Sequence, residues 1–398
     1  MRRINLKKVQ TARLATVRDI NRQIVLNYVR EREPISRATI AKETALQRST
    51  VSAIIDSLQM EGLVEEIGAG ESTGGRPPTL LRLRTAGPIA VGVSVTPSHI
   101  TIATCDLAGR ILEQLEFPID PDHDRTFAQI IACINDFKAH EGAAIESVGV
   151  SLPGLIDPST GSAIYVPYFH WRDLPVANII SEGTHLPVTI DNDANAVALA
   201  ELWFGRPEVT DLRDFILILV AEGVGTGIII DGQVYRGERG AAGEFGHMIV
   251  GTDAPVACSC GNYDCWEAFS SEGAAVARYL RLKGSNNNNG PVSFRTLVDR
   301  ALAGEEQAKQ SLVETAHYLG IGISNLVVGF SPEVVVVGGE IARAWCLIEG
   351  ALGETIERSV RRGLPSATIL PSTLDKEPTL MGALSLVLAS KFAAAFAA

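Results

Sequence analysis

The sequence predicts an α/β protein in three parts: a small amino-terminal module of helices and a β-ribbon, then two larger lobes that each combine a sheet with helices. Three observations lead there. Residues 1–86 hold three helix-period segments followed by two short alternating runs. Residues 89–117 hold three apolar strand-like runs in succession, and a similar set returns at 214–235. One His and three Cys then crowd into residues 247–265.

A chain of 398 residues is too long for one ordinary domain, and 46% hydrophobic with 20% charged residues suits a soluble protein with a well-filled core. The start, Met1-Arg2-Arg3-Ile4-Asn5-Leu6, carries no apolar leader, and no run of eighteen apolar residues offers a membrane span. A cytoplasmic protein without a membrane partner is expected. Residues 1–86 carry 15 Lys+Arg and 9 Asp+Glu and the rest 20 and 37, so the net −11 divides into +6 and −17. A basic front on an acidic body suggests that only the front meets a polyanion.

In order, residues 1–17 are basic and without a clear period. Ile20, Ile24 and Tyr28, with Val25 and Val29 beside them, predict a helix from about Asp19 to Arg32, stopped by Pro34. Ser36 reads as the cap of a second helix reaching Glu43, with Ile35 and Ile40 as a hydrophobic staple. A third helix carries Val51, Ile54, Ile55 and Leu58 on one face and ends at Gly62. Residues 63–65 and 79–83 alternate as a two-stranded ribbon around the tip Gly74-Gly75-Arg76-Pro77-Pro78.

Three helices and a ribbon make the winged helix-turn-helix plan. Gln47, Arg48, Ser49, Thr50 and Ser52 on the third helix are the set that would face bases and phosphates of double-stranded DNA in a major groove, and Arg76 suits a narrow minor groove. A helical dimerisation module would share the helices but has no use for a Gly-Arg-Pro tip. Gln47 is a poor residue for the helix cap it would occupy.

After a linker at 85–88 come strands at 89–95, 100–106 and 111–117, a helix at 127–140 and a strand at 147–151. That order opens an actin-like, ribonuclease-H-type half. Strands at 214–220, 226–230 and 233–235, later helices and a closing strand at 334–339 make the second half, with a cleft between the two. The Asn run 286–289 reads as a loop without chemistry.

His247, Cys258, Cys260 and Cys265 form a complete tetrahedral set for a structural Zn²⁺ with no open position. Cys258 and Cys260 are too close in sequence to bridge each other comfortably. Three buried unliganded thiols are the alternative, but Gly261 and the tight spacing favour a metal knuckle. Its expected task is to fix the loop carrying His247 and Glu267.

Cys258-Ser259-Cys260-Gly261, Cys265 and Glu267 with His247 upstream, and Ser72-Thr73-Gly74-Gly75-Arg76-Pro77-Pro78 in front, resemble the ROK family over essentially the whole length. This family unites sugar-responsive bacterial repressors with sugar kinases. Asp264 departs from its usual Gly, but Asp tolerates a left-handed backbone. The resemblance implies domains at 1–86, at 87–190 with 377–398, and at 191–376. It implies a sugar site of Asn192, Asp193, Glu244, His247 and Glu267, bordered by Pro153 and Gly154. Asn192 and Asp193 alone would read equally well as a helix cap. Tyr168 stands where relatives often have Asn.

In the family's kinases Asp193 would be the general base. The phosphate loop they need is replaced here by Val93-Ser94-Val95-Thr96-Pro97-Ser98, without its acid or its glycines, and Glu222 adds a negative charge beside Gly223. The expectation is a DNA-binding repressor, dimeric or tetrameric, with a sugar or sugar-phosphate effector and no catalysis. A sugar kinase with a degenerate nucleotide loop, and a regulator controlled by a transporter protein, are the alternatives.

Overall fold

The computed structural model describes residues 14–70, 77–85, 87, 89–140, 145–210, 212–284, 292–360, 363–374 and 377–392. They form two compact units, drawn from residues 1–89, 105–112 and 388–398, and from 90–104 and 113–387.

The first unit contains helix Leu14–Arg32, β1 (Ile35–Ser36), helices Arg37–Thr44 and Arg48–Met60, β2 (Val64–Ala69) and β3 (Thr79–Leu83). Each boundary has a local cause. The Ser36 hydroxyl accepts from Thr39 N at 3.1 Å and caps the second helix, and Ala45 ends it in the left-handed region at φ 56°. Gly62, at φ 74°, ends the third helix just past its cap. Val51, Ile55 and Leu58 are buried with Val25, Leu26, Val29 and Ile40, so one apolar stripe on each helix makes the core.

Two expectations need correction here. The first helix already begins at Leu14, and the ribbon is three-stranded, ordered β1-β3-β2, because Ile35 and Ser36 pair with Leu81 and Leu80. A two-residue strand is too short to show alternation, which is why the sequence hid it. β2 also runs on to Ala69, past a register shift between Glu66 and Gly68. The module remains a winged helix-turn-helix.

The second unit is built on two five-stranded sheets. β4 (Ala90–Val95), β5 (His99–Cys105), β6 (Ile111–Pro118), β7 (Ser147–Leu152), β8 (Leu155–Asp157), β9 (Ser162–Val166), β10 (Trp171–Leu174) and β11 (Val188–Asn192) come first. Then follow β12 (Phe215–Val220), β13 (Val224–Ile230), β14 (Gln233–Val234), β15 (Val334–Gly338) and β16 (Thr368–Pro371). The sheets are ordered β11-β7-β4-β5-β6 and β14-β13-β12-β15-β16. In each, the first strand is central, the next two lie on one side and the last two on the other. β4, β7 and β11 run parallel, as do β12, β15 and β16. One topology used twice is the actin-like plan. β4, β12 and β15 are buried along their whole length, so they read as apolar runs and not as alternation.

Helix Pro378–Phe392 lies against the first sheet at contact distance. A Cβ added at Gly149 would sit 1.9 Å from Ala383 O, and one at Gly92 would sit 2.7 Å from Leu384 Cγ. Further round, Gly382 faces helix Asp193–Phe204, where an added Cβ would lie 2.8 Å from the Ala196 carbonyl carbon. Only glycine permits these approaches.

The small sheet β10-β9-β8 and helix Val176–Thr184 are additions to the elements expected from the sequence. The tip of β9 and β10 is a 3-10 turn, Pro167–Phe169, held by Trp171 against Phe169 and Phe127 at ring distances of 4.7 and 5.6 Å. The Asn run 286–289, Ala86 and Pro88 of the linker, and Arg76 with the rest of 71–76 lie outside the described residues. No helix among the described residues is long and apolar enough to cross a membrane.

Candidate functional site

The ligand atoms of His247, Cys258, Cys260 and Cys265 all lie within 4.8 Å of one another. Cys258 Sγ is 3.3 Å from His247 Nδ1 and 3.3 Å from Cys260 Sγ, and Cys260 Sγ is 3.7 Å from Cys265 Sγ. Those separations are far beyond a disulfide bond of about 2.05 Å. They are close to the edges of a tetrahedron with metal–sulfur bonds of about 2.3 Å. The donor set therefore fits a metal ion.

The knuckle is shaped locally. Asp264 takes the left-handed conformation at φ 63°, and its carboxylate accepts from Ala254 N at 2.9 Å. Gly261 is left-handed too, at φ 86°. Trp266 anchors the exit: it is fully buried, donates to Tyr318 O at 2.9 Å, and lies so near Gly322 that an added Cβ would be 2.0 Å from the ring. Trp266 opens the short helix Trp266–Ser270, which places Glu267 over the knuckle. One Glu267 oxygen takes Ser259 Oγ at 2.8 Å, Ser259 N at 3.2 Å and Cys258 Sγ at 3.2 Å. The other takes Val224 N at 3.4 Å. Glu267 thus ties the knuckle to β13. Ser259 is a contributor that sequence reasoning missed, and only its place between two cysteines could have hinted at it.

A cavity opens beside the knuckle, lined by Asn192, Asp193, Glu244, His247 and Glu267 together with Tyr168, Glu222, Thr226, Ser259, Pro97 and Gly154. All five residues assigned to a sugar site by resemblance therefore line one cavity. His247 turns Nδ1 to the thiols and Nε2 to Glu244 Oε2 at 3.4 Å, so one imidazole serves both groups. Asn192 is also the cap of helix Asp193–Phe204: its side-chain oxygen accepts from Ala194 N and Asn195 N, and its amide donates to Gly154 O at 3.0 Å. Asn192 is thus both a helix cap and a wall residue.

Asp193 accepts from Ala194 N at 2.8 Å and is half-buried. Burial pushes its carboxyl up to about 7, and the Ala194 N–H opposes this only in part, while Glu222 and Glu244 add to the rise. Tyr168, at the tip of β9 and β10, leans over Gly223, where an added Cβ would be 3.1 Å from its hydroxyl. Burial raises its phenol well above the ordinary value, as do the charges of Glu267, Asp193 and Glu222. Ser94 is committed elsewhere, donating to Thr379 Oγ1 at 2.8 Å.

In the first unit, Gln47, Arg48 and Ser49 are exposed at the start of helix Arg48–Met60, while Thr50 and Ser52 are half-buried. Gln47 makes no side-chain cap bond, as its residue type suggested.

Residues 90–390 match the family model described as "ROK family". The xylose repressor of Bacillus subtilis is 31% identical over 377 residues, covering 94% of this chain and 96% of that protein. The Escherichia coli DNA-binding transcriptional dual regulator NagC is 28% identical, covering 96% and 95%. Among solved structures, a ROK family transcriptional regulator homologous to the Escherichia coli Mlc protein superposes with a TM-score of 0.79 at 27% identity, covering 95% and 97%. A ROK glucokinase from Streptomyces griseus, solved with glucose and AMPPNP, gives 0.68 at 28% identity, covering 75% of this chain and 98% of that one. The kinase thus matches three quarters of the chain, and the regulators match nearly all of it. With a family model spanning most of its length and relatives alike from end to end, the chain belongs to the ROK family.

Proposed function

We propose that this protein is a sugar-responsive DNA-binding transcriptional regulator, a repressor, whose body binds a sugar or sugar derivative and does not transfer phosphate. The observation that carries the reading is the pairing, in one chain, of a winged helix-turn-helix module with a carboxylate-lined cleft. Relatives that share the whole length, amino-terminal module included, carry the names of regulators.

In this reading Gln47, Arg48, Ser49, Thr50, Ser52 and Arg76 meet the operator. Asn192, Asp193, Glu244, His247 and Glu267 hold the sugar. The cluster of His247 and three cysteines holds Zn²⁺, whose contribution is to fix the wall bearing Glu244 and Glu267. The protein works in the cytoplasm as a homodimer or homotetramer, since a winged helix on a palindrome is normally paired. Its domains are residues 1–86, 87–190 with 377–398, and 191–376.

The reading of no kinase activity is supported by the end of β4 and the loop after it. Ser94 offers no charge for a metal ion and its hydroxyl is bonded to Thr379, and Pro97 at the cavity has no N–H for a phosphate. Phosphoryl transfer depends on charge neutralisation, and the loop supplies none.

Arg48→Ala tests the DNA face. Operator affinity should fall about tenfold, and the slope of log K against log salt should become shallower by about 1. Fluorescence anisotropy across a salt series reads both. An unchanged affinity and slope would remove Arg48 from the contact.

A further inference from the structure

The sugar reading leaves open what class of sugar the cleft takes, and the charge around the cavity decides it. Asp193, Glu222, Glu244 and Glu267 line the cavity, and no Lys or Arg does so among the described residues. Arg236, bonded to Asp191 at 2.7 Å, has its charge matched already. A divalent ion held by three thiolates would leave the knuckle with one net negative charge, so a metal adds no anion-attracting corner.

The helix amino terminus on the cavity wall offers an anion little more. A phosphate at a helix amino terminus needs free N–H groups. At helix Asp193–Phe204 those groups are occupied: Ala194 N meets Asn192 Oδ1 at 2.9 Å and Asp193 Oδ1 at 2.8 Å, and Asn195 N meets Asn192 Oδ1 at 3.3 Å. Val224 N, at the start of β13, is directed to Glu267. Thr226 also lines the cavity, with its hydroxyl buried, and it adds no positive charge there. A neutral sugar hydroxyl can donate to the surrounding carboxylates, which an ionised phosphate or carboxylate group cannot do.

We propose that the cleft takes an uncharged sugar and rejects sugar phosphates and sugar acids, with Glu222 setting this selectivity from the cavity mouth. The proposal rests on the sugar-binding reading above. Glu222 is exposed at the turn between β12 and β13 and reaches the cavity. Its charge is felt by Asp193, Tyr168 and Glu272 alike. An incoming anion would meet that charge first.

The test is titration calorimetry of the full-length, zinc-loaded protein. The neutral arm contains D-xylose, D-glucose and N-acetyl-D-glucosamine. The charged arm contains glucose 6-phosphate, N-acetylglucosamine 6-phosphate and glucuronate. A neutral sugar should bind at least about thirtyfold more tightly than its charged derivative, and Glu222→Gln should cut that ratio about tenfold. A charged derivative binding as well as its parent would overturn the proposal and leave the sugar reading standing. An unaltered ratio in Glu222→Gln would overturn the role of Glu222. Binding by neither arm would withdraw the sugar reading and the proposal with it.

Discussion

Cys260→Ser should strip the metal from the knuckle and soften the wall that it braces. Cys260 is the exposed member of the set, whereas Cys258 and Cys265 are buried. Exchanging its sulfur for oxygen therefore opens no core cavity, and the change reports on coordination alone. Structural zinc contributes directly to folding free energy, and a three-ligand remnant loses most of it. We expect metal content to fall from one ion per chain to near zero, and stability to fall by about 3 kcal/mol or more. Ligand affinity should fall with it, because Glu267 is held by the N–H and hydroxyl of Ser259, in the loop between two of the cysteines. Elemental analysis beside calorimetry would check this. Full metal occupancy in the variant would remove Cys260 from the ligand set.

Asp193 carries the second large effect. Asp193→Ala should weaken the sugar at least about a hundredfold, as expected for a half-buried hydrogen-bonded carboxylate in a ligand cleft, while DNA binding persists. Loss of both activities together would contradict the separation of roles. Asp193→Asn isolates the electrostatic part, because its carbonyl can still accept from Ala194 N.

The native carboxyl sits at about 7 against an ordinary 3.8. Between those values the folded protein holds a proton that the unfolded chain has released, so stability is full below about 4 and is lost as pH rises through about 7. The upper limit of that loss is about 4 kcal/mol. Partial exposure screens it to about 1–2 kcal/mol. Asp193→Asn should therefore gain on the wild type as pH rises from 5 to 8, in unliganded protein. Urea denaturation of both proteins gives the difference, in which the pH dependence of the metal site is common and cancels. A difference that stays flat with pH would contradict the raised carboxyl.

Much of the fold was legible wherever local chemistry sets it. Ser36 caps its helix, Gly62 ends the third helix, and the apolar runs at β4, β12 and β15 are buried strands. The missing pieces were set by contacts distant in sequence. β1 exists because Ile35 finds Leu81, and β16 pairs parallel to β15 through Val335 and Ile369. The β9 and β10 hairpin depends on Trp171 meeting Phe127. That hairpin brings Tyr168 to the cleft, so residue type could hint at its place there, but only the tertiary contact fixes it.

For the site, the cluster of one His and three Cys could be read from spacing alone, since four donors between 247 and 265 have few other uses. The convergence of Asp193 with Glu244 and Glu267 could not, because it comes from separate elements that meet only in the folded second unit.

One coupling stands at the centre of the proposed function: a single chain would link a duplex to an uncharged sugar. Coupling of this kind is reciprocal, so the sugar must change the affinity for DNA by the factor by which DNA changes the affinity for the sugar. The most direct measurement is the anisotropy of a labelled duplex, selected by the protein from a random pool, with and without a saturating neutral sugar. We predict a dissociation constant at least about tenfold weaker with sugar present. An identical constant in both conditions, for a sugar shown by calorimetry to bind, would contradict it.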